Sequence, residues 1–282
     1  MARNFRKLLE DSFAIPEEKR VFLPSGFQRI GDIVVVNIRP EIADYSGKIA
    51  DAIMRNYAYV KSVWRKAGPV DGELRKPSVE HIGGFNRSVT VHTENACRYR
   101  IDISRVMFSK GNVKERARVP PLVKKGETVV DMFAGIGYFS IPVARHSQAA
   151  RVYSIEKNPE SMALLRENIR LNRVEKRVVP ILGDCREVNL GEVADRVVMG
   201  YLPRTRSYLS CALKSLKPEG GVIHYHDTFH ESEIWERPLD ILEVEGFKRG
   251  FELKKMTYKS KVKEYAPGIY HVVMDAVFGK PS

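Results

Sequence analysis

Cysteine is scarce in this chain of 282 residues. Cys97, Cys185 and Cys211 stand too far apart to build a disulfide framework or a zinc site. No apolar run is long enough to span a bilayer, so no membrane association is expected. Residues 1–10 lack the apolar core of a secretion signal, and a cytoplasmic protein is predicted. Glutamine occurs only at Gln28 and Gln148, a composition seen in heat-adapted proteins. No segment points to a protein partner.

Negative charge is the other deficit. The formal net charge is +12, and it is uneven. Residues 1–120 carry 22 Lys and Arg against 14 Asp and Glu, while the remainder carries 25 against 21. A basic excess of this kind points to a polyanionic partner, and the skew places that partner on the N-terminal part.

The chain is organised around residues 127–140, E-T-V-V-D-M-F-A-G-I-G-Y-F-S. Thr128, Val129 and Val130 suit a strand buried on both faces of a parallel sheet. Asp131 closes it, and a small-residue turn containing Gly135 and Gly137 leads into a helix over 138–145. Glycines there accept positive φ and leave no Cβ between backbone and ligand. A second strand, 151–156, ends in Glu156 about 20 residues further on, where a ribose-binding carboxylate is expected. Asn158-Pro159-Glu160 then opens a helix with an N-cap, a proline at the first position and an acid near the positive end. Met162, Leu165 and Ile169 share one face of it. A dinucleotide-binding loop would want a third glycine where Ser140 stands, and it would not favour a carboxylate directly before the turn. The pattern D-x-F-A-G-x-G-x-F instead resembles the loop of class I S-adenosylmethionine-dependent transferases, whose ligand is cationic. That resemblance implies that Glu156 holds the ribose hydroxyls, and that Asp184, in Leu182-Gly183-Asp184-Cys185, lies beside the adenine. Phe133, Gly135, Gly137, Lys157 and Cys185 join the expected cofactor contacts.

Before this core, a strand is expected over 31–38, a helix over 45–57 and a strand over 60–64. A hairpin is expected from 88–92 and 98–108. This first region reads as a small α+β module with a basic face, in which Trp64, Arg65, Lys66, Arg75 and Lys76 are candidates for nucleic-acid contact. Residues 109–118 read as a charged linker, so the expected domains are 1–117 and 118–282. Past Asp184, a fourth strand over 194–199 ends in Gly200-Tyr201-Leu202-Pro203. Tyr201, Leu202 and Pro203 are the candidates for meeting substrate. A helix over 209–216, a strand over 222–227 and a helix over 231–245 follow. Two last strands, 247–255 and 268–277, are separated by the basic stretch 254–263. His224 and His226 fall on one face of a strand and His230 is near, yet no carboxylate or cysteine completes a metal set. No metal is expected.

Taken together, Glu80-His81-Ile82-Gly83-Gly84, Glu94-Asn95, Asp102, Phe108-Ser109 and Glu115-Arg116 resemble the domain junction of two related tRNA enzyme families. With residues 131–139, Glu156-Lys157-Asn158-Pro159 and Gly220-Gly221-Val222-Ile223-His224-Tyr225, the resemblance runs from about residue 30 to the end of the chain. One family comprises the guanosine-N1 methyltransferases acting beside the anticodon. The other comprises the wybutosine-synthesizing aminocarboxypropyltransferases. The methyltransferases carry Asn directly before Leu-Pro, where Gly200-Tyr201 stand here, and they carry an extra N-terminal module. Both departures favour the aminocarboxypropyltransferases. The implied fold is a Rossmann-like class I α/β sheet with a smaller N-terminal α+β domain. The implied reaction consumes S-adenosylmethionine and modifies 4-demethylwyosine in the anticodon region of tRNA(Phe), with the base splayed against Tyr201 or another aromatic. Ser109, Lys110 and Arg116 are implied to reach the cofactor, Arg116 as partner of its methionine carboxylate. No general base is singled out. A guanosine-N1 methyltransferase and a non-catalytic tRNA-binding factor remain the alternatives.

Overall fold

The structure, a computed structural model, describes residues 4–108 and 110–281. Internal contacts divide the chain into two compact units, Met1–Phe108 and Ser109–Ser282. Residues 110–117 therefore group with the second unit, to which the adjoining Arg118 is tied through Asp275.

In the first unit, α1 (Phe5–Ser12) and the single turn α2 (Glu17–Arg20) precede a hairpin of β1 (Phe27–Ile30) and β2 (Ile33–Val36). Gly31, at φ 59°, makes the turn, and a Cβ there would come within 2.3 Å of Thr90 Oγ1. The helix α3 (Ser46–Asn56) then crosses to β3 (Ser62–Lys66), parallel to β2, and β4 (Val79–Gly84) completes the order β1-β2-β3-β4. Ile49, Ala50 and Ile53 of α3 pack with Val34, Val36 and Val63 of the sheet and with Leu8 and Leu9 of α1. The expected hairpin is present as β5 (Val89–Glu94) and β6 (Cys97–Asp102), turning at Asn95 and Ala96, both at positive φ. β1 was not foreseen, because Gln28 and Arg29 interrupt any apolar alternation.

Trp64 corrects one expectation. Its ring is buried on the sheet, its indole N–H donates to Ser62 Oγ at 2.8 Å, and its edge meets His81 of the neighbouring β4. It is a core residue and not part of an exposed nucleic-acid face. Arg65 is held by Glu80 at 2.6 Å, whereas Lys66 and Lys76 are exposed.

The second unit opens with α4 (Val113–Arg118) and alternates β7 (Thr128–Asp131), α5 (Ser140–His146), β8 (Arg151–Glu156), α6 (Pro159–Leu171), β9 (Val178–Leu182), β10 (Arg196–Met199), α7 (Leu209–Ser215) and β11 (Gly220–His230). α8 (Glu236–Lys248), β12 (Glu252–Ala266) and β13 (Ile269–Gly279) follow. Among the described residues these form one seven-stranded sheet, ordered β12-β13-β11-β10-β7-β8-β9. Neighbours from β11 to β9 run parallel, and β13 runs antiparallel to both β11 and β12. This is the Rossmann-like class I order, and the first unit is the smaller α+β domain. Residues 254–263, expected as a basic connection, instead form the middle of the edge strand β12. Lys259, Lys261 and Lys263 alternate outward there, as lysines do on edge strands.

A buried chain of charges anchors α4. Arg118 grips Asp275 of β13 with two bonds, 2.6 and 2.9 Å, and Asp275 meets His224 Nδ1 at 2.6 Å. His224 Nε2 lies 2.8 Å from Arg196 Nη1. A guanidinium only donates, so Nε2 is the acceptor and the His224 proton sits on Nδ1, donating to Asp275. Burial pushes His224 below its ordinary value and keeps it neutral. Burial alone would raise Asp275, but His224 and Arg118 hold it well below the usual carboxylate range. Replacing Asp275 by Ala leaves Arg118 with Glu115 alone and the buried His224 Nδ1–H without its acceptor, and should cost about 3 kcal/mol in urea unfolding. An unchanged midpoint would mean that the chain of charges does not anchor α4.

Candidate active site

The parallel strands β10, β7, β8 and β9 deliver their carboxyl ends side by side, and every expected cofactor contact but three falls on the segments that leave them. Asp131 ends β7 and is fully buried. Its Oδ2 accepts from Ser140 Oγ at 2.7 Å and from the Ser140 N–H at 3.2 Å. Desolvation outweighs these donors and raises its pKa to about 6. Glu156 ends β8. It accepts from the Gly135 N–H and the Asn158 N–H, both at 2.7 Å, and burial raises its pKa also. The glycine turn and the acid at the end of β8 are thus one unit, locked by a hydrogen bond.

The turn needs its glycines. Gly135 and Gly137 have φ of 56° and 102°, and a Cβ on Gly137 would lie 2.5 Å from Ile141. Asn158 caps α6, its Oδ1 accepting from the Glu160 N–H at 2.9 Å, and Met162, Leu165 and Ile169 are buried as expected. Asp184, just past β9, is gripped by Arg186 Nε at 2.9 Å and Nη2 at 2.5 Å, and Lys157 Nζ approaches at 3.2 Å. These bonds, that of Arg186 above all, hold its carboxyl well below the usual range. Cys185 lines a cleft with Val130, Met132, Ile155 and Cys211, and burial pushes its thiol up to about 12.

Phe133 and Tyr201 come together from separate loops. Their rings stack at 5.1 Å with 25° between planes, and Tyr208 closes edge-on against both at 5.0 and 6.0 Å. Arg186 lies 5.1 Å over Tyr208. Tyr201 is half-buried, Leu202 buried and Pro203 exposed. Gly200, directly before Tyr201, packs on Phe139, and a Cβ there would sit 2.8 Å from that ring. α4 places Arg116, only 2 % exposed, with its guanidinium 4.9 Å from the ring of Tyr138 at the end of the glycine turn. Ser109 lies outside the described residues, and so does the side chain of Lys110. The histidines do other work. His224 belongs to the charge chain, His226 Nδ1 meets His271 Nε2 at 3.1 Å, and His230 bonds Ser232.

Sequence reasoning missed Tyr208 and Arg186 as companions of the site, and Arg118 as the anchor of Arg116. None of the three lies in the glycine or strand-end motifs: Tyr208 and Arg118 act through partners on other elements, and Arg186 stands two residues past Asp184 in the same loop.

The arrangement fits a cationic nucleoside ligand. Two carboxylates stripped of water by burial flank a turn whose missing Cβ atoms leave room for a ligand, and an aromatic cluster stands beside them. The TRM5/TYW2 methyltransferase domain family matches residues 90–254, and the TYW2 N-terminal domain matches residues 5–87. The chain belongs to the TRM5/TYW2 family. It is 41% identical over 252 residues to the tRNA(Phe) (4-demethylwyosine(37)-C(7)) aminocarboxypropyltransferase of Methanocaldococcus jannaschii, covering 89% of this chain and 97% of that protein. It is 36% identical over 261 residues to the tRNA (guanine(37)-N(1))-methyltransferase Trm5b of Pyrococcus abyssi, covering 93% and 77%. The crystal structure of P. horikoshii TYW2 in complex with MeSAdo superposes with a TM-score of 0.84 at 37% identity, covering 98% of each chain. Among the described residues of this family member, no helix is long and apolar enough to cross a membrane.

A site of this kind binds a cation best when Asp131 is ionised. Lowering the pH through its folded value of about 6 protonates it, so affinity for S-adenosylmethionine should fall by about tenfold between about pH 7.5 and pH 5. Calorimetric titration at both values measures this, and Asp131→Asn should remove most of the slope. A slope that survives in the Asn variant would take Asp131 out of the site.

Proposed function

We propose that this chain transfers the α-amino-α-carboxypropyl group of S-adenosylmethionine to a carbon of 4-demethylwyosine beside the anticodon of tRNA(Phe). The reading rests on the aromatic pair at the end of β10. Tyr201, where the methyltransferases carry Asn, lies against Phe133 and offers a flat surface in place of an amide. A tRNA base out of its stack finds its natural partner in such a surface.

The sulfonium supplies an activated leaving group, so the chain's contribution is binding and orientation. Attack by the acceptor carbon on the methylene of the methionine arm forms a C–C bond and leaves the C–S electrons on sulfur. The acceptor carbon then loses its proton. Glu156, fixed by Gly135 and Asn158, is oriented to receive ribose hydroxyls. Asp184 fixes the loop whose Cys185 lines the cleft for the adenine, with Lys157 alongside. Arg116 is the counter-charge for the methionine carboxylate, with Ser109 and Lys110 as its expected helpers. The basic residues of 1–117 bind the tRNA, and cytoplasm is the compartment that three scattered thiols and this substrate fit.

The guanine-N1 methyltransferases stand as the second reading, because the Trm5b relative shares 36% of residues over most of the chain. The two reactions differ in which carbon leaves sulfur. S-Adenosylmethionine labelled in the methyl carbon or in the methionine carboxyl, incubated with tRNA(Phe) carrying 4-demethylwyosine, should put only the carboxyl label into RNA. Methyl label in unmodified tRNA would establish the other chemistry, and no label in either substrate would leave a binding protein. Arg116→Ala should lower the transfer rate about 100-fold, as loss of a positioning contact does, while the thermal midpoint shifts little. Retention of the rate would remove Arg116 from the donor site.

A further inference from the structure

Asp227 lies in β11, two residues beyond Tyr225, the last residue that pairs with β10. β10 stops at Met199, and the chain turns away through Gly200–Arg206, so the flank of β11 at Asp227 has no strand beside it. The carboxylate is fully buried and its surroundings are all donors. Oδ1 accepts from the Arg204 N–H at 3.0 Å and the Thr228 N–H at 2.8 Å. Oδ2 accepts from the Arg206 N–H and Nε–H, both at 3.1 Å, and from the Tyr225 hydroxyl at 2.8 Å. Three of the five bonds come from the segment after β10. One of them holds Arg204 at φ 67°, a backbone state that a non-glycine residue enters only at a cost. Thr205 Oγ1 bonds back to the Tyr201 carbonyl, so the grip on 204–206 reaches Tyr201 itself.

We propose that Asp227 is the positioning residue that sets Tyr201, Leu202 and Pro203 against the substrate. It acts without touching substrate, by replacing the missing strand with a single acceptor-only group. A neutral amide cannot do this, since its NH2 would face donors already in place. The inference rests on the proposed reaction, in which this segment meets the tRNA base through Tyr201.

The test measures kcat for carboxyl-label transfer to tRNA(Phe), the Kd for S-adenosylmethionine, the Kd for tRNA and the thermal midpoint. Asp227→Asn should lower kcat about 100-fold, the size expected from a misplacement of about 1 Å, with both Kd values within about threefold of the parent. Tyr225→Phe removes a donor from the same carboxylate but leaves the bonds to 204–206. It should lose thermal stability while keeping kcat within about threefold, which a purely structural role of Asp227 would not allow. Should Asp227→Asn fail to fold, Arg206→Lys decides. It keeps the charge available to RNA but loses the Nε–H bond, and kcat should fall about tenfold at unchanged tRNA affinity. Parent-like kcat in Asp227→Asn, or in Arg206→Lys where that variant decides, overturns the proposal. So does a kcat that falls in step with stability across all three variants. Absence of label transfer by the parent protein would instead overturn the reaction itself.

Discussion

Two carboxylates held out of water at the ends of β7 and β8 set the terms for everything around them. Burying an ionised carboxylate costs several kcal/mol unless donors replace its hydration. Here Ser140, Gly135 and Asn158 supply donors, but not enough to restore the ordinary affinity for protons, and Asp131 is left titrating at about 6. That shortfall favours a cationic ligand over an anionic one. A ligand that brings positive charge completes what the backbone leaves incomplete, and an anionic pyrophosphate would aggravate it. The chemistry of the ligand is therefore written in the deficit rather than in any one contact.

That part was legible in the sequence because its causes are local. Gly135 and Gly137 are separated by one residue, Glu156 closes the next strand, and Asn158-Pro159 caps the next helix within two residues of it. Each signal needs only the chain on either side of it. Trp64 shows the limit. Its neighbours Arg65 and Lys66 give it the look of a basic aromatic patch, and only its contact with His81 on β4, paired to it across the sheet, shows the ring to be buried. The same limit misplaced residues 254–263, where alternating lysines read as a solvated connection and are in fact the outer face of an edge strand.

What could not be read is carried by pairs far apart in the chain. Arg118 and Asp275 are 157 residues apart, and His224 stands between Asp275 and Arg196 in a tautomer that only the presence of both neighbours decides. A sequence shows three charged residues and a histidine there, with nothing to link them. The consequence for the site is direct. α4 has six residues and little helix stability of its own, so the direction in which Arg116 points is inherited from the bonds that Arg118 makes. Arg118 thus decides where Arg116, the proposed counter-charge of the donor, stands.

The same division of labour explains how one scaffold serves two chemistries. All three carbons on a sulfonium share the leaving group, so selection among them is a matter of geometry, and each 1.4 kcal/mol of preference is worth a factor of about ten in product ratio. In the proposed arrangement Glu156 and the glycine turn hold the nucleoside end and are indifferent to which carbon reacts. The choice then lies where the methionine arm and the acceptor base are held, at Arg116 and in the segment after β10. An amide there reads the edge of a purine through hydrogen bonds. Tyr201, backed by Phe133 and Tyr208, reads the face of a ring, and a face contact leaves the base free to slide in its own plane until other contacts stop it. A surface so tolerant in one direction needs a rigid mount in the others. The close contact of Gly200 with Phe139 on one side and the five-fold grip of Asp227 on the other supply that mount.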